Sequence, residues 1–268
     1  MVNDVLRTLY ICTMIKVSLP PLSLWQFENL SQESGIRHFV SDRNSDSGGK
    51  EFTLSLSSLP DKEVVRENRR LLAKAMGIDD RKLFFPSQVH LTRIVNVTSG
   101  TPREALMETD ALISNESGVC IAVMSADCVP ILLYDKKNHA VAAVHAGWKG
   151  TVARILEKTL HSMNKQFGTI GADVVAGIGP SVSQDSYEVG EEVVSHVQKS
   201  FERSADLMIP QQNNKAKLDL WKANEFQLRE FGVKTIELSN LCTVKNNESF
   251  FSARRGDSGR FAAGIMLL

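Results

Sequence analysis

The chain has 268 residues, 43% of them hydrophobic and 23% charged, a balance that excludes a disordered polypeptide and suffices for a sizeable core. Its 31 Lys and Arg cancel its 31 Asp and Glu, so there is no general basic surface to draw in nucleic acid or an anionic membrane. Four scattered cysteines, Cys12, Cys120, Cys128 and Cys242, show no CxxC spacing, which argues against a disulfide framework and a structural zinc knuckle and fits a reducing, cytoplasmic compartment.

In chain order, the opening apolar run is broken by Cys12, Thr13 and Lys16 and no A-x-A cleavage pattern follows, so no signal peptide is expected. No stretch reaches the roughly 18 apolar residues that span a bilayer. Residues 1–20 are expected to form an N-terminal extension, with Met14 as an alternative start, and residues 21–268 a single domain. The polar, glycine-bearing stretch Ser41 to Lys50 predicts a loop. From Asp61 to Met76, Val64, Val65, Leu71, Leu72, Ala75 and Met76 recur at helical spacing, with Asp61 as N-cap and Gly77 as stop.

Residues 119–145 change period. VCIAVMS, PILLYD and HAVAAVH are three apolar, β-rich runs separated by ADC and KKN, and they predict an up-down-up meander. The turn after its first strand and the end of its third would share one sheet edge, bringing Cys128 to His145. Next, AGWKG precedes the helical pattern TVARILEKTLHSM. A glycine-rich helix opening exposes unpaired N–H groups and suits an anion, to which Lys149 adds a charge. Further on come a glycine-rich run (VVAGIGP), a helix around Val189 to Phe201, another around Leu218 to Phe231 stopped by Gly232, and a C-terminal loop followed by a strand.

Two imidazoles and a thiolate, from His90, Cys128 and His145, make a three-ligand set that suits zinc and leaves a fourth position open, as catalytic sites do. Local spacing does not single the three out, and residues near strand ends are commonly packing residues. Three further readings stay open at this point. Cys128 activated by His145 or His90 would make a cysteine hydrolase or amidase; a copper site with Met124 as weak axial ligand would make an electron-transfer centre; and a zinc-stabilised binding module would turn nothing over. His139, His161 and His196 lie in a turn or on helices and read as solvated. Cys120 reads as core, Trp148 as a packing anchor or a stacking platform, and Arg254, Arg255 and Arg260 as surface decoration or phosphate contacts. Asp127 reads as a general acid or base, or as a turn residue held by backbone bonds.

QVH at 88–90, ADCVPILLYD at 126–135, HAGWKG at 145–150, IGP at 178–180, YEVG at 187–190, LCT at 241–243 and SARRGDSGR at 252–260 together resemble the laccase-domain family, also called the multicopper polyphenol oxidase-like family. The resemblance runs from about Arg37 to the C-terminus, and the ordered set is far more specific than any one motif. It implies a single α+β domain with mixed sheets and helices on their outer faces. It also implies a zinc-dependent purine nucleoside phosphorylase that deaminates adenosine and cleaves methylthioadenosine, with purine nucleosides and phosphate as partners. His90, Cys128 and His145 match the family's zinc ligands. Arg43 matches the arginine of its early R-x-G-G loop and Lys149 the basic residue of HAGW[KR]G, both as substrate or phosphate contacts. With Gly147, Gly150 and Arg260 they complete the expected anion site, and Asp127 is the expected acid or base. The early loop departs from the family pattern by reading RNSDSGG, as does Ser55 where the family has asparagine. A true multicopper oxidase is excluded on ligand arithmetic, because six histidines without an H-x-H pair do not supply a trinuclear cluster.

Overall fold

The computed structural model describes residues 14–45, 51–58 and 60–268. Its strands are β1 (Ile15–Leu19), β2 (Leu22–Gln26), β3 (Ile36–Val40), β4 (Leu83–Phe84), β5 (Ile94–Asn96), β6 (Ala111–Ser114), β7 (Cys120–Ser125), β8 (Val129–Asp135), β9 (Ala140–Ala146), β10 (Val174–Ile178), β11 (Glu188–Val189), β12 (Met208–Pro210), β13 (Ala216–Leu218), β14 (Thr235–Leu238) and β15 (Phe261–Leu267). The helices are α1 (Glu28–Ser31), α2 (Lys62–Met76), α3 (Trp148–Val152), α4 (Ile155–Phe167), α5 (Glu191–Ser200) and α6 (Leu220–Glu230).

Two six-stranded sheets carry the domain, one in the order β1-β2-β3-β15-β7-β4 and the other β14-β10-β8-β9-β6-β5, with a small sheet β11-β13-β12 beside them. Alternation along each strand explains how they stack. Ile121 and Val123 of β7, with Ala263 and Ile265 of β15, meet Leu132 and Tyr134 of β8 and Val141 and Ala143 of β9 in one buried cluster between the sheets. The intervening residues face outward: Cys120, Ala122, Ala262 and Met266 pack under α2, while Ile131, Leu133, Ala142 and Val144 pack under α4 and α6. Strands buried on both faces read as continuous apolar runs. The α+β class and the outer-face helices are borne out.

Helix α2 runs as its periodicity predicts, with the Asp61 side chain accepting from Glu63 N–H and Gly77 closing it at φ 72°. The meander needs correction. β8 and β9 form the expected hairpin, pairing Pro130 with His145, but β7 belongs to the other sheet, paired with β15 and β4. A run buried on both faces does not specify its neighbour, and at Ala126–Cys128 the chain crosses between sheets, with Asp127 at φ 90°. The helix after His145 is also broken in two. Arg154 adopts a left-handed conformation between α3 and α4, so the glycine-rich turn opens a helix of only five residues.

The expected extension divides at Met14. Residues 1–13 lie outside the described residues, while β1 pairs with β2 across Ile15↔Gln26 to Leu19↔Leu22, so the expected boundary at residue 20 falls inside a hairpin. The second half of the Ser41 to Lys50 loop, residues 46–50, also lies outside the described residues. Among the described residues no helix is long and apolar enough to cross a membrane.

Candidate metal centre

The chain crosses from the first sheet to the second twice on the way to the site, between β4 and β5 and between β7 and β8. His90 lies in the first crossing and Cys128 in the second, while His145 sits near the end of β9. One potential ligand atom from each of His90, Cys128 and His145 lies within 4.8 Å of the others, and the two imidazoles meet edge to face at 4.9 Å between centroids. Pairing of Val129 with Ala146 and Pro130 with His145 sets Cys128 opposite the β9 end. The shared-edge expectation therefore holds through a two-stranded hairpin.

Asp110, buried at the start of β6, organises this corner. Its Oδ1 lies 2.8 Å from His145 Nδ1 and accepts from His90 N–H at 2.9 Å, while Oδ2 accepts from Val89 N–H at 3.1 Å and Leu91 N–H at 3.0 Å. Fixing Nδ1 against a carboxylate leaves Nε2 as the free imidazole nitrogen, the usual arrangement behind a metal-bound histidine. It also holds the backbone of His90 at φ 63°, a left-handed conformation uncommon outside glycine. Gln88 steadies the same loop by exchanging two 2.8 Å hydrogen bonds with the Met124 backbone.

Gly147 shows how tightly the corner is packed. A Cβ there would come within 2.9 Å of Cys128 Sγ and 3.0 Å of His90 Cδ2, so only a residue without a side chain lets the β9 end pass this close. Burial pushes the Cys128 thiol up, but the imidazoles of His145 and His90 outweigh it and bring it down to about 6. Burial likewise opposes charge on His145, and the Cys128 thiolate with Asp110 outweighs it, raising the imidazole to about 9. A thiolate, two imidazoles and an orienting carboxylate form a donor set into which a tetrahedral N/S-preferring ion fits.

The three residues open onto a cavity of about 640 Å3 also lined by Arg69, Phe85, Arg103, Met124, Asp127, Tyr187, Arg254 and Arg260. A second cavity of about 660 Å3 lies around Asp219, Trp221 and Arg229. The His90–Cys128–His145 group is the one cluster among the described residues that fits a metal, and it opens onto the first cavity.

The other predicted residues divide. Asp127 lines the cavity, but Oδ1 accepts from Thr243 Oγ1 at 2.6 Å and Oδ2 from Arg254 N–H at 2.8 Å, so its carboxylate ties the turn to two distant segments instead of closing it on its own backbone. Arg260 lines the cavity while its Nη1 donates to the carbonyls of Asp257, Ser258 and Gly259. Arg43 does not line it. Its guanidinium pairs with Asp257 at 2.9 Å, donates to Asn247 O at 2.7 Å and stacks over Phe251, fastening the C-terminal segment. Lys149, Gly147 and Gly150 are likewise absent from the cavity wall. Lys149 is exposed over the Trp148 ring at 5.6 Å, and Gly147 and Gly150 serve close packing against Cys128, His90 and Ile155. Trp148 packs edge to face on His196, as a packing anchor would.

Sequence reasoning missed Asp110, Arg69, Arg103 and Tyr187. Tyr187 stood in a quoted motif without a role; burial and the nearby Cys128 push its phenol up to about 12, so it stays protonated.

The chain matches the family model described as multi-copper polyphenol oxidoreductase laccase over residues 37–268. It is 43% identical over 256 residues to a Bacteroides thetaiotaomicron protein named purine nucleoside phosphorylase, covering 90% of this chain and 95% of that one. It is 35% identical over 252 residues to a protein of an unknown prokaryotic organism named adenosine deaminase RL5, covering 89% and 94%. Among solved structures, the Bacillus licheniformis hypothetical protein YfiH superposes with a TM-score of 0.86 at 27% identity, covering 94% of this chain and 98% of that one. With the motifs, the fold and these likenesses in agreement, the chain belongs to the multi-copper polyphenol oxidoreductase laccase family.

Proposed function

We propose that the protein is a zinc-dependent purine nucleoside phosphorylase, cleaving inosine, adenosine and methylthioadenosine with phosphate, and that the same cavity deaminates adenosine. The observation that carries this reading is the His90–Cys128–His145 group opening onto a cavity of about 640 Å3, inside the range of roughly 300–1,000 Å3 usual for small-molecule sites. The names of the two relatives supply the substrate class. The phosphorolytic step balances simply: a phosphate oxygen bonds to ribose C1′ as the bond from C1′ to the purine nitrogen breaks, the electron pair leaves with the base, and the base takes up a proton.

His90, Cys128 and His145 would hold the metal, which when bound supplies a Lewis acid at the cavity wall. Asp110 keeps the His145 ring in one tautomer and holds the His90 loop against it. Tyr187 offers a protonated hydroxyl to the cavity as a hydrogen-bond donor. Asp127 positions the turn at Cys128 and the Arg254 backbone, and its engaged carboxylate oxygens make it a poor proton shuttle.

The depressed thiol of Cys128 also favours a second reading, a cysteine nucleophile flanked by two imidazoles. Chelation separates the two. Base release from inosine should depend on both phosphate and metal, with ribose 1-phosphate as co-product. Turnover that persists in excess chelator, or base release at an unchanged rate without phosphate, would sink the phosphorylase reading.

A further inference from the structure

The wall of the cavity has a charge imbalance that the metal corner does not explain. Arg69, Arg103, Arg254 and Arg260 line it, against the single carboxylate of Asp127, whose oxygens are already engaged by Thr243 and Arg254 N–H. Among the described residues none of the four guanidiniums makes an ion pair; each is tied to backbone carbonyls instead. Arg69 donates through Nε and Nη2 to Leu54 O, Arg103 through Nη1 and Nη2 to Leu83 O and Arg81 O, Arg254 to Glu188 O, and Arg260 to its own loop.

Arg69 and Arg103 are also held flat. Arg69 stacks on Phe85 at 4.5 Å and Arg103 on the adjacent Phe84 at 4.3 Å, which fixes the planes of both forks before any ligand arrives. The bonds just named leave Nη1 of Arg69 and Nε of Arg103 without a protein acceptor. Burial, with a smaller contribution from the charge of Arg103, pulls the Arg69 guanidinium down to about 10. The hydroxyls of Ser55 and Ser57, 2.9 Å apart, belong to the same wall.

We infer that Arg69 and Arg103 form a subsite for a phosphate dianion, either inorganic phosphate or the phosphate monoester of a nucleotide, in the cavity that also holds the metal corner. Two guanidiniums fixed in place before binding, one mostly buried and one at the cavity rim, neither in an ion pair among the described residues, suit a tetrahedral dianion that accepts from both forks. The inference deepens the phosphorylase reading and rests on it for the role of inorganic phosphate. It moves the anion site from the Gly147–Gly150 turn, whose Lys149 lies outside the cavity, to Arg69 and Arg103 on the cavity wall.

The test uses zinc-loaded protein. Inorganic phosphate and adenosine 5′-monophosphate are titrated calorimetrically into the unaltered chain, Arg69→Gln, Arg103→Gln and Lys149→Ala, with zinc content and unfolding midpoint recorded for each. Arg69→Gln and Arg103→Gln should each weaken the anion by about tenfold or more, while Lys149→Ala stays within about twofold. Loss for inorganic phosphate assigns the subsite to the second substrate, and loss for the nucleotide alone assigns it to a substrate's own phosphate. Arginine-selective dicarbonyl labelling of the unaltered chain covers the case in which a variant does not fold. Phosphate should protect Arg69 and Arg103 but not Arg255, which lies outside the cavity. Unchanged affinity in both arginine variants, or labelling without protection, overturns the subsite. Protection without phosphorolysis would leave the subsite standing and sink the phosphorylase reading instead.

Discussion

At the metal corner of the cavity His90 and His145 share a single carboxylate, Asp110, and both His90 and Cys128 press against a single glycine, Gly147. Elsewhere on the same wall Arg69 and Arg103 are each anchored by their own carbonyls and each backed by their own ring. The first arrangement is a network whose members depend on one another, and the second is a pair of independent mounts. Interactions that share a partner couple, whereas separately supported ones approach additivity. Damage at the metal corner should therefore spread to every ligand, whereas damage to one arginine should leave the carbonyl and ring that hold the other in place.

The sharpest way to break this contrast is Cys128→Ala. Zinc measured by elemental analysis should fall from about one ion per chain to below about a tenth, with the protein still folded, and phosphorolysis and deamination should vanish together. Full metal retention would remove Cys128 from the ligand set. Asp110→Asn tests whether the corner acts as a unit. It keeps the shape of the side chain but loses the charge facing His145 and the three backbone N–H groups, and zinc affinity measured by chelator competition should drop by roughly ten- to a hundredfold. An unchanged affinity would mean that the ligands are positioned independently after all.

Gly147→Ala is a subtler probe. The backbone at φ −71° accepts alanine, so any effect comes from the new methyl against Cys128 and His90. Zinc binding should weaken on the order of tenfold while the unfolding midpoint moves little. The smallest effect belongs to Lys149→Ala, exposed and remote from the wall. The KM for phosphate should change by less than about twofold, as surface substitutions usually behave, and a larger rise would return the anion site to the glycine-rich turn.

Much of the fold was legible because its signals are local. Helix α2 carries its own cap and stop, and the β8–β9 hairpin carries two apolar runs around a polar turn. The partner of β7 was not legible, because Ile121 and Val123 would be satisfied against any apolar face and pairing with β15 spans more than half the chain. The three candidate ligands were singled out by motifs, not by spacing. Asp110 was invisible for the same physical reason: it stands 20 residues from His90 and 35 from His145, with no periodicity linking them. Arg43 and Lys149 were misleading because a basic residue in a motif does not disclose whether it faces a cavity or, like Arg43, an internal carboxylate such as Asp257.

Both crossings from the first sheet to the second, between β4 and β5 and between β7 and β8, carry a candidate ligand, His90 in one and Cys128 in the other. An ion held there would act as a clasp across the mouth of the sandwich, added to the hydrogen bonds that Asp110 and Gln88 already make at this corner. Its occupancy would then report on the alignment of the two sheets as well as on chemistry. A slip of one sheet against the other, too small to expose the core, would separate the donors and release the ion long before the protein unfolds. Metal retention would thus be a more sensitive gauge of strain in this sandwich than any melting temperature.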